Sequence, residues 1–221
     1  MNQEQWASID QYFAKALLRP DPALDAAIAS NVKAGLPAID VSPTQGKFLH
    51  LLAQIQGARR ILEIGTLGGY STIWLARALP EGGLLATLEV DPKHAEVARQ
   101  NLERAGVAGK VHIVVGKALE TLPTLKSRFP DPFDLVFIDA DKVNTPGYFQ
   151  WALKLSRPGA VIVIDNVVRK GEITNAASAD ESVLGMRRFT EMIGREKGVS
   201  ATVIQTVGTK GHDGFVIARV S

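Results

Sequence analysis

No cysteine occurs in the 221 residues. That absence removes disulfides, thiolate metal sites and cysteine nucleophiles together, and it suits a reducing cytoplasm, where the chain is expected to stay. An excess of one charge is lacking too: 25 Lys and Arg stand against 23 Asp and Glu, a net charge of +2, with no run of five like charges. Such a balance makes no case for a nucleic-acid patch. Histidine is scarce, and His50, His94, His112 and His212 lack the spacing of metal ligands, which speaks against zinc and leaves each as a surface or locally hydrogen-bonded residue. No stretch reaches eighteen uninterrupted apolar residues, and the opening MNQEQWASIDQYF is polar and amphipathic. Neither a membrane span nor a signal peptide is expected.

What is present is apolar material for a full core, 46% of the residues, in a chain short enough for one domain over 1–221. Short β-rich runs alternate with longer helical periodicities. ARRILEI (58–64), LLATLEV (84–90), KVHIVV (110–115), FDLVFI (133–138) and AVIVI (160–164) are the strands, with STIWLARAL, HAEVARQNLERAG, ALETLPTLKSRF and TPGYFQWALKL between them. This alternation predicts an α/β fold, a mostly parallel sheet with helices on both faces. The end of the chain differs. A helix over about 181–197 precedes ATVIQTV and GFVIARV, joined by GTKGHD, which predicts a C-terminal antiparallel hairpin. Two or three helices precede the first strand, broken at RPDP (19–22) and GLPAIDVSP (35–43), and form a cover over 1–57. Trp6, Tyr12, Phe13, Leu17 and Leu18 give the first of them more apolar surface than a free arm needs, so it should pack on the domain or on a second copy.

Ligands of open α/β sheets bind at the carboxyl ends of the strands, beside the point where strand order reverses. Those ends read EIGTLGGYS, EVDP, GKAL, DADK and DNVV. In the first, Gly65, Gly68 and Gly69 allow a tight turn and close ligand approach, and the helix opening at Ser71 suits an anion. Leu67 and Tyr70 break the dinucleotide fingerprint G-x-G-x-x-G, so a smaller anion such as an amino-acid carboxylate fits better than a pyrophosphate, and a dehydrogenase is disfavoured. Glycines alone equally describe an ordinary βα turn. Glu89 adds weight, because it ends the second strand where a nucleoside-binding sheet places an acid on the ribose hydroxyls. Asp91 reads as the cap of the helix that follows. Asp139 after the fourth strand and Asp165–Asn166 after the fifth converge on one rim. Two carboxylates and an amide oxygen are hard donors that suit Mg²⁺ or another hard divalent ion, although either aspartate alone would read as a cap.

EIGTLGGYS, LEVDP, FIDADK and VIDNVV, in this order from about Ser42 onward, resemble the cation-dependent O-methyltransferases that use S-adenosylmethionine, of the catechol and caffeoyl-CoA types. The resemblance implies a Rossmann-like methyltransferase fold of seven strands. It also implies that Glu63, Gly65 and Ser71 lie around the methionine part of the cofactor, that Glu89 holds its ribose, that Ala118 borders its adenine, and that Asp139 stands among its contacts. By the same resemblance Asp139, Asp165 and Asn166 are the metal ligands and Lys142 is the catalytic lysine. Ala140–Asp141 replaces the His-Trp of the catechol enzyme and is closer to the caffeoyl-CoA type, while no extra segment for a CoA-sized substrate is evident. The implied acceptor is a small phenol or catechol, and the implied assembly a homodimer. Two other readings are methylation of a hydroxylated uridine in tRNA, for which no basic strip with interleaved aromatics stands out, and a non-catalytic nucleoside-binding module, which would not need Lys142 beside three oxygen ligands.

The residue types fit that chemistry on their own. A protonated hydroxyl is a poor nucleophile, and a dication beside two adjacent oxygens brings its ionisation toward neutral pH. Lys142 could accept the proton or stabilise the oxyanion by its charge.

Overall fold

The computed structural model describes residues 2–221; Met1, the first residue of the expected cover, lies outside them. Three helices come first: α1 (Gln3–Leu17), α2 (Pro22–Lys33) and α3 (Pro43–Ile55). Each starts at a polar cap, Asn2, Asp21 or Ser42, whose side chain accepts from first-turn N–H groups, and prolines at the starts of α2 and α3 fix their entry. The order then alternates: β1 (Arg60–Ile64), α4 (Tyr70–Ala78), β2 (Leu84–Glu89), α5 (Pro92–Arg104), β3 (Val111–Val115), α6 (Ala118–Arg128), β4 (Phe133–Ile138), α7 (Thr145–Leu155) and β5 (Ser156–Asp165). It closes with α8 (Glu181–Arg195), β6 (Val199–Gly208) and β7 (Gly211–Val220). No helix among the described residues is long and apolar enough to cross a membrane.

The seven strands form one sheet in the order β3-β2-β1-β4-β5-β7-β6. The first five are parallel, and β7 joins β5 antiparallel and carries β6 as an edge hairpin. Strand order reverses between β1 and β4, so their carboxyl ends diverge into a crevice. Successive side chains point to opposite faces. Leu62, Ile64, Val136, Ile138 and Ile162 therefore pack under α6, α7 and α8, while Ile61, Leu85, Leu135, Phe137 and Val163 pack under α2, α3, α4 and α5. Near-continuous apolar runs such as FDLVFI follow from burial on both faces.

The expected elements differ from the observed ones mainly at their edges. β5 begins at Ser156, four residues before AVIVI, because Pro158 and Gly159 are carried in a bulged start where pairing with β4 shifts register. The C-terminal connection is shorter than GTKGHD: Gly208 pairs with Gly211 and only Thr209–Lys210 turn the chain. A 3-10 segment, Arg169–Thr174, was not foreseen. The cover is tied to the hairpin tip, where Gln3 Nε2 donates to the Gly208 carbonyl (2.9 Å) and Asp10 accepts from Thr209 N (2.8 Å).

At the opposite end of the sheet, Asp134 sits at the shifted register and its buried carboxylate closes the strand starts. Oδ2 accepts from Arg59 N and Arg60 N (2.7 and 2.8 Å), and Oδ1 accepts from Arg157 Nε (2.5 Å). Burial works to raise its pKa, but the Arg157 bond and the two N–H donors outweigh it and hold the carboxyl below its ordinary value of 3.8. Asp134→Ala should cost about 2–4 kcal/mol at pH 7, as two strand-start donors and a guanidinium lose their acceptor. A depressed folded pKa gives stability that is present above pH 3.8 and lost as pH falls through the folded value. Urea unfolding should therefore show the wild-type advantage shrinking in strong acid; an advantage that is the same at pH 7 and in acid would reject the clamp.

Candidate active site

The turn from β1 to α4 is built around two carboxylates that reach it from the ends of β1 and β2. Glu63 points to the α4 face and is fully buried. Its oxygens accept from Ser71 Oγ (2.7 Å), Thr72 Oγ1 (2.5 Å) and Thr87 Oγ1 (2.7 Å), tying β1, β2 and the first turn of α4 together. Glu89 reaches back from the end of β2: Oε2 accepts from Leu67 N (2.7 Å) and Thr66 N (3.3 Å), and Oε1 from Asp91 N (3.0 Å). Leu67, the residue that breaks the dinucleotide fingerprint, has φ 49°. An L residue disfavours that conformation, and the bond to Glu89 helps to hold it. Gly65, at φ 104°, lies so close to β4 that a Cβ there would collide with the Asp139 carbonyl oxygen.

These ends line a cavity of about 850 Å³. Gly65, Ser71, Glu89, Ala118, Asp139, Lys142 and Asn166 all border it. Glu63 does not; it stands behind the wall, and its effect on a ligand passes through Ser71 and the turn it secures. Glu63, expected around the methionine part of the cofactor, stands one layer back because it lies on the α4 face of β1, where three hydroxyls enclose it. Ser71 borders the cavity, yet its hydroxyl proton is committed to Glu63. His94, read as a surface or local residue, also borders the cavity, with Nδ1 3.6 Å from Glu89 and Nε2 3.8 Å from Asp91. Asp91 caps α5 through Lys93 N (2.7 Å), as its position predicts.

A second cavity of about 540 Å³ meets the first, sharing Asp139, Asn166 and Arg169 and adding Asp165, Gln45 and Phe48. At the junction Lys142 Nζ donates to Asp139 Oδ1 (2.8 Å), and both side chains are largely withdrawn from water. Asp165 accepts from Gln45 Nε2 (2.6 Å) and Asn166 N (2.8 Å). Burial first, and the charge of Asp139 second, push the Asp165 carboxyl well above the usual carboxylate range, against Lys142, Asn166 and Gln45. Asn166 has φ 57°, a conformation that Asn tolerates better than most residues. No group of three or more His, Cys, Asp or Glu able to hold a metal occurs among the described residues, so any hard-ion site here depends on the Asn166 amide as third donor. The donor set fits such an ion by type: a half-buried carboxylate, a buried carboxylate and an amide side chain, all hard oxygen donors, border one junction.

Asp141, the second aspartate of DADK, has a separate task. It accepts from Asn144 N (3.1 Å), Asn144 Nδ2 (2.8 Å) and the Tyr148 hydroxyl, and so fixes the loop that carries Lys142 into α7. Gln45 was not foreseen, because nothing in SPTQG marks it; only the packing of α3 over the rim brings it to Asp165.

Comparison with known proteins gives one consistent answer. The family model described as O-methyltransferase matches residues 20–220. The chain is 53% identical over 220 residues to a catechol O-methyltransferase of Niastella koreensis, covering all of both chains. It is 58% identical over 212 residues to a catechol O-methyltransferase of Mycobacterium tuberculosis, covering 96% of this chain and 94% of that one. The crystal structure of the O-methyltransferase TomG from Streptomyces achromogenes, involved in tomaymycin synthesis and in complex with SAM, superposes with a TM-score of 0.97 at 54% identity, covering 100% and 99% of the two chains.

The Glu63 knot has a pH signature. Burial pushes its carboxyl up to about 7 from 4.5; the three hydroxyls work downward and the Asp139 charge upward. A raised folded pKa gives a contribution that is complete below pH 4.5 and lost as pH rises through about 7. Glu63→Gln removes this titration, so the stability of the wild type minus that of the variant should fall by up to about 3 kcal/mol between pH 4.5 and 8 in urea unfolding. A difference that stays flat would mean that Glu63 titrates alike in both states.

Proposed function

The chain belongs to the O-methyltransferase family and is an S-adenosylmethionine-dependent enzyme, and from that premise we propose that it methylates one hydroxyl of a small catechol-like acceptor with the help of a divalent cation such as Mg²⁺. The observation that carries this reading is the junction of the two cavities, where Asp139, Asp165, Asn166 and Lys142 meet. Residues 1–221 then act as one catalytic domain, with 1–57 as its cover.

The larger cavity suits the methyl donor. Glu89, already fixed by three backbone N–H groups, presents a carboxylate edge to ribose hydroxyls, and Ala118 offers a small apolar wall to a base. Gly65 brings bare backbone to the wall, and the α4 terminus offers N–H groups to a carboxylate. Asp139, Asp165 and Asn166 would hold the cation, whose charge makes a neighbouring hydroxyl more acidic. Lys142 faces the same junction and either takes the hydroxyl proton or holds the oxyanion. The acceptor oxygen forms a bond to the methyl carbon while the carbon–sulfur bond breaks and its electrons return to sulfur, leaving a neutral thioether. No covalent enzyme intermediate is required. Holding oxygen, carbon and sulfur in line is the task of the two cavities, and such positioning supplies up to roughly 7–11 kcal/mol.

We also propose that a second copy covers α1 and β6. Tyr12, Phe13 and Leu17 of α1 are exposed, as are Val203, Ile204 and Val207 of the edge strand. Sedimentation equilibrium at micromolar concentration should give twice the chain mass of 23.8 kDa, and a monomer would reject the dimer.

The function is tested by incubating the protein with labelled S-adenosylmethionine, Mg²⁺ and separate pools of catechols and tRNA. Label should enter the catechols, stop with EDTA and return with Mg²⁺, while the circular dichroism spectrum is unchanged. Asp165→Ala should behave as the EDTA-treated protein does. Lys142→Ala should bind the donor normally by calorimetry and lose about 10²–10⁴-fold in kcat, partly regained at high pH where the acceptor ionises unaided. Glu89→Ala should weaken donor binding and spare metal binding. Full activity after EDTA and in Asp165→Ala would make the aspartates caps, and label in tRNA would move the acceptor class.

A further inference from the structure

The chemistry above leaves Arg169 without a task, although it lines both cavities together with Asp139 and Asn166. Its Nε is shut off from solvent and has no hydrogen-bond partner. The ion pairs among the described residues do not include it. A withdrawn guanidinium nitrogen without an acceptor is unfavourable, so the arrangement is incomplete as it stands.

The backbone below it is also unusual. Arg169 and Lys170 have φ 54° and 57°, two consecutive side-chain-bearing residues in the left-handed region. Asp213 holds the first of them: its Oδ1 accepts from Val168 N (3.0 Å), Arg169 N (3.1 Å) and Gly214 N (2.9 Å). Strain held in place at a cavity wall marks a position selected for something other than stability.

Every carboxylate that lines the smaller cavity already has a protein donor. Asp10 takes Thr209, Asp40 takes Asn31, Asp139 takes Lys142, Asp165 takes Gln45, and Asp213 takes the backbone of the turn. Arg169 pairs with none of them, and it borders the space of both cavities, where an acceptor would lie. A planar guanidinium with parallel N–H donors matches a carboxylate better than any neutral group.

We infer that Arg169 receives a carboxylate on the acceptor, so that the substrates this chain prefers are catechols bearing an anionic substituent. The inference rests on the proposed attachment of two adjacent hydroxyls near Asp139, Asp165 and Asn166, and it adds a second anchor that sets which way the ring enters. The acceptor is then held at both ends.

The test compares 3,4-dihydroxybenzoate with unsubstituted catechol in the full-length wild type and in Arg169→Gln. The wild type should have the higher kcat/KM for the benzoate. Arg169→Gln should lower that value about 10- to 100-fold, as expected for one lost charge-assisted bond pair, and leave catechol unchanged within about 2-fold. An equal fall for both acceptors would assign Arg169 to donor binding or to the turn, and no fall would leave it without a role; either result overturns the inference. A calorimetric arm works without metal or turnover: 3,4-dihydroxybenzoate is titrated into each protein saturated with S-adenosylhomocysteine. Tighter binding by the wild type upholds the carboxylate site even if no catechol is methylated, a failure that would fall on the proposed function alone. Equal or absent binding in the two proteins rejects it.

Discussion

A carboxylate with no access to water organises the working end of this sheet. Glu63 is an acid in the middle of a two-faced hydrophobic strand, where an unpaired charge could not persist. Three hydroxyls, from Ser71, Thr72 and Thr87, converge on it, and Thr87 is in turn 2.6 Å from Thr66. Because these groups come from β1, β2 and α4, satisfying one buried acid fixes the positions of two strands and a helix. The glycine-rich turn can then run close to β4, since its ends cannot move.

Glu89 extends the same device outward. Its carboxylate takes the N–H groups of Thr66 and Leu67, which would otherwise point into the cavity wall unpaired, and keeps one edge toward the space. Asp139 and Asp165 stand farther along the same rim. Glu63, Glu89 and Asp165 are all buried, while Asp139 is half-buried and paired with Lys142. Each of the four acids has a donor within the protein. Arg169 has no such partner, since its Nε is buried without an acceptor.

The sequence shows most of this layout because burial on both faces leaves only a few positions where polar residues can stand. Glu63, Glu89, Asp139 and Asp165 each interrupt or end an apolar run, so their placement at strand ends is readable one-dimensionally. Asp91 as a cap, the βαβ alternation and the terminal hairpin are local patterns, legible for the same reason. Gln45, His94 and Asp213 carry no such mark. Gln45 reaches Asp165 across 120 positions of chain, and Asp213 reaches Arg169 across 44. Their roles come from which helix or strand passes over the rim.

The chain by itself determined the order of strands and helices, the acids at the strand ends and the family to which they point, because periodicity and burial act over a few residues at a time. Tertiary structure decided what each acid does. Glu63 faces α4 and not the cavity because it falls on one side of a two-residue alternation, and Asp141 serves a loop while Asp139 serves the junction because Tyr148 and Asn144 fold back upon the first. It also decided that Arg169 meets no carboxylate. Pairing is a property of distances in space, and those are set only when the helices close over both faces of the sheet.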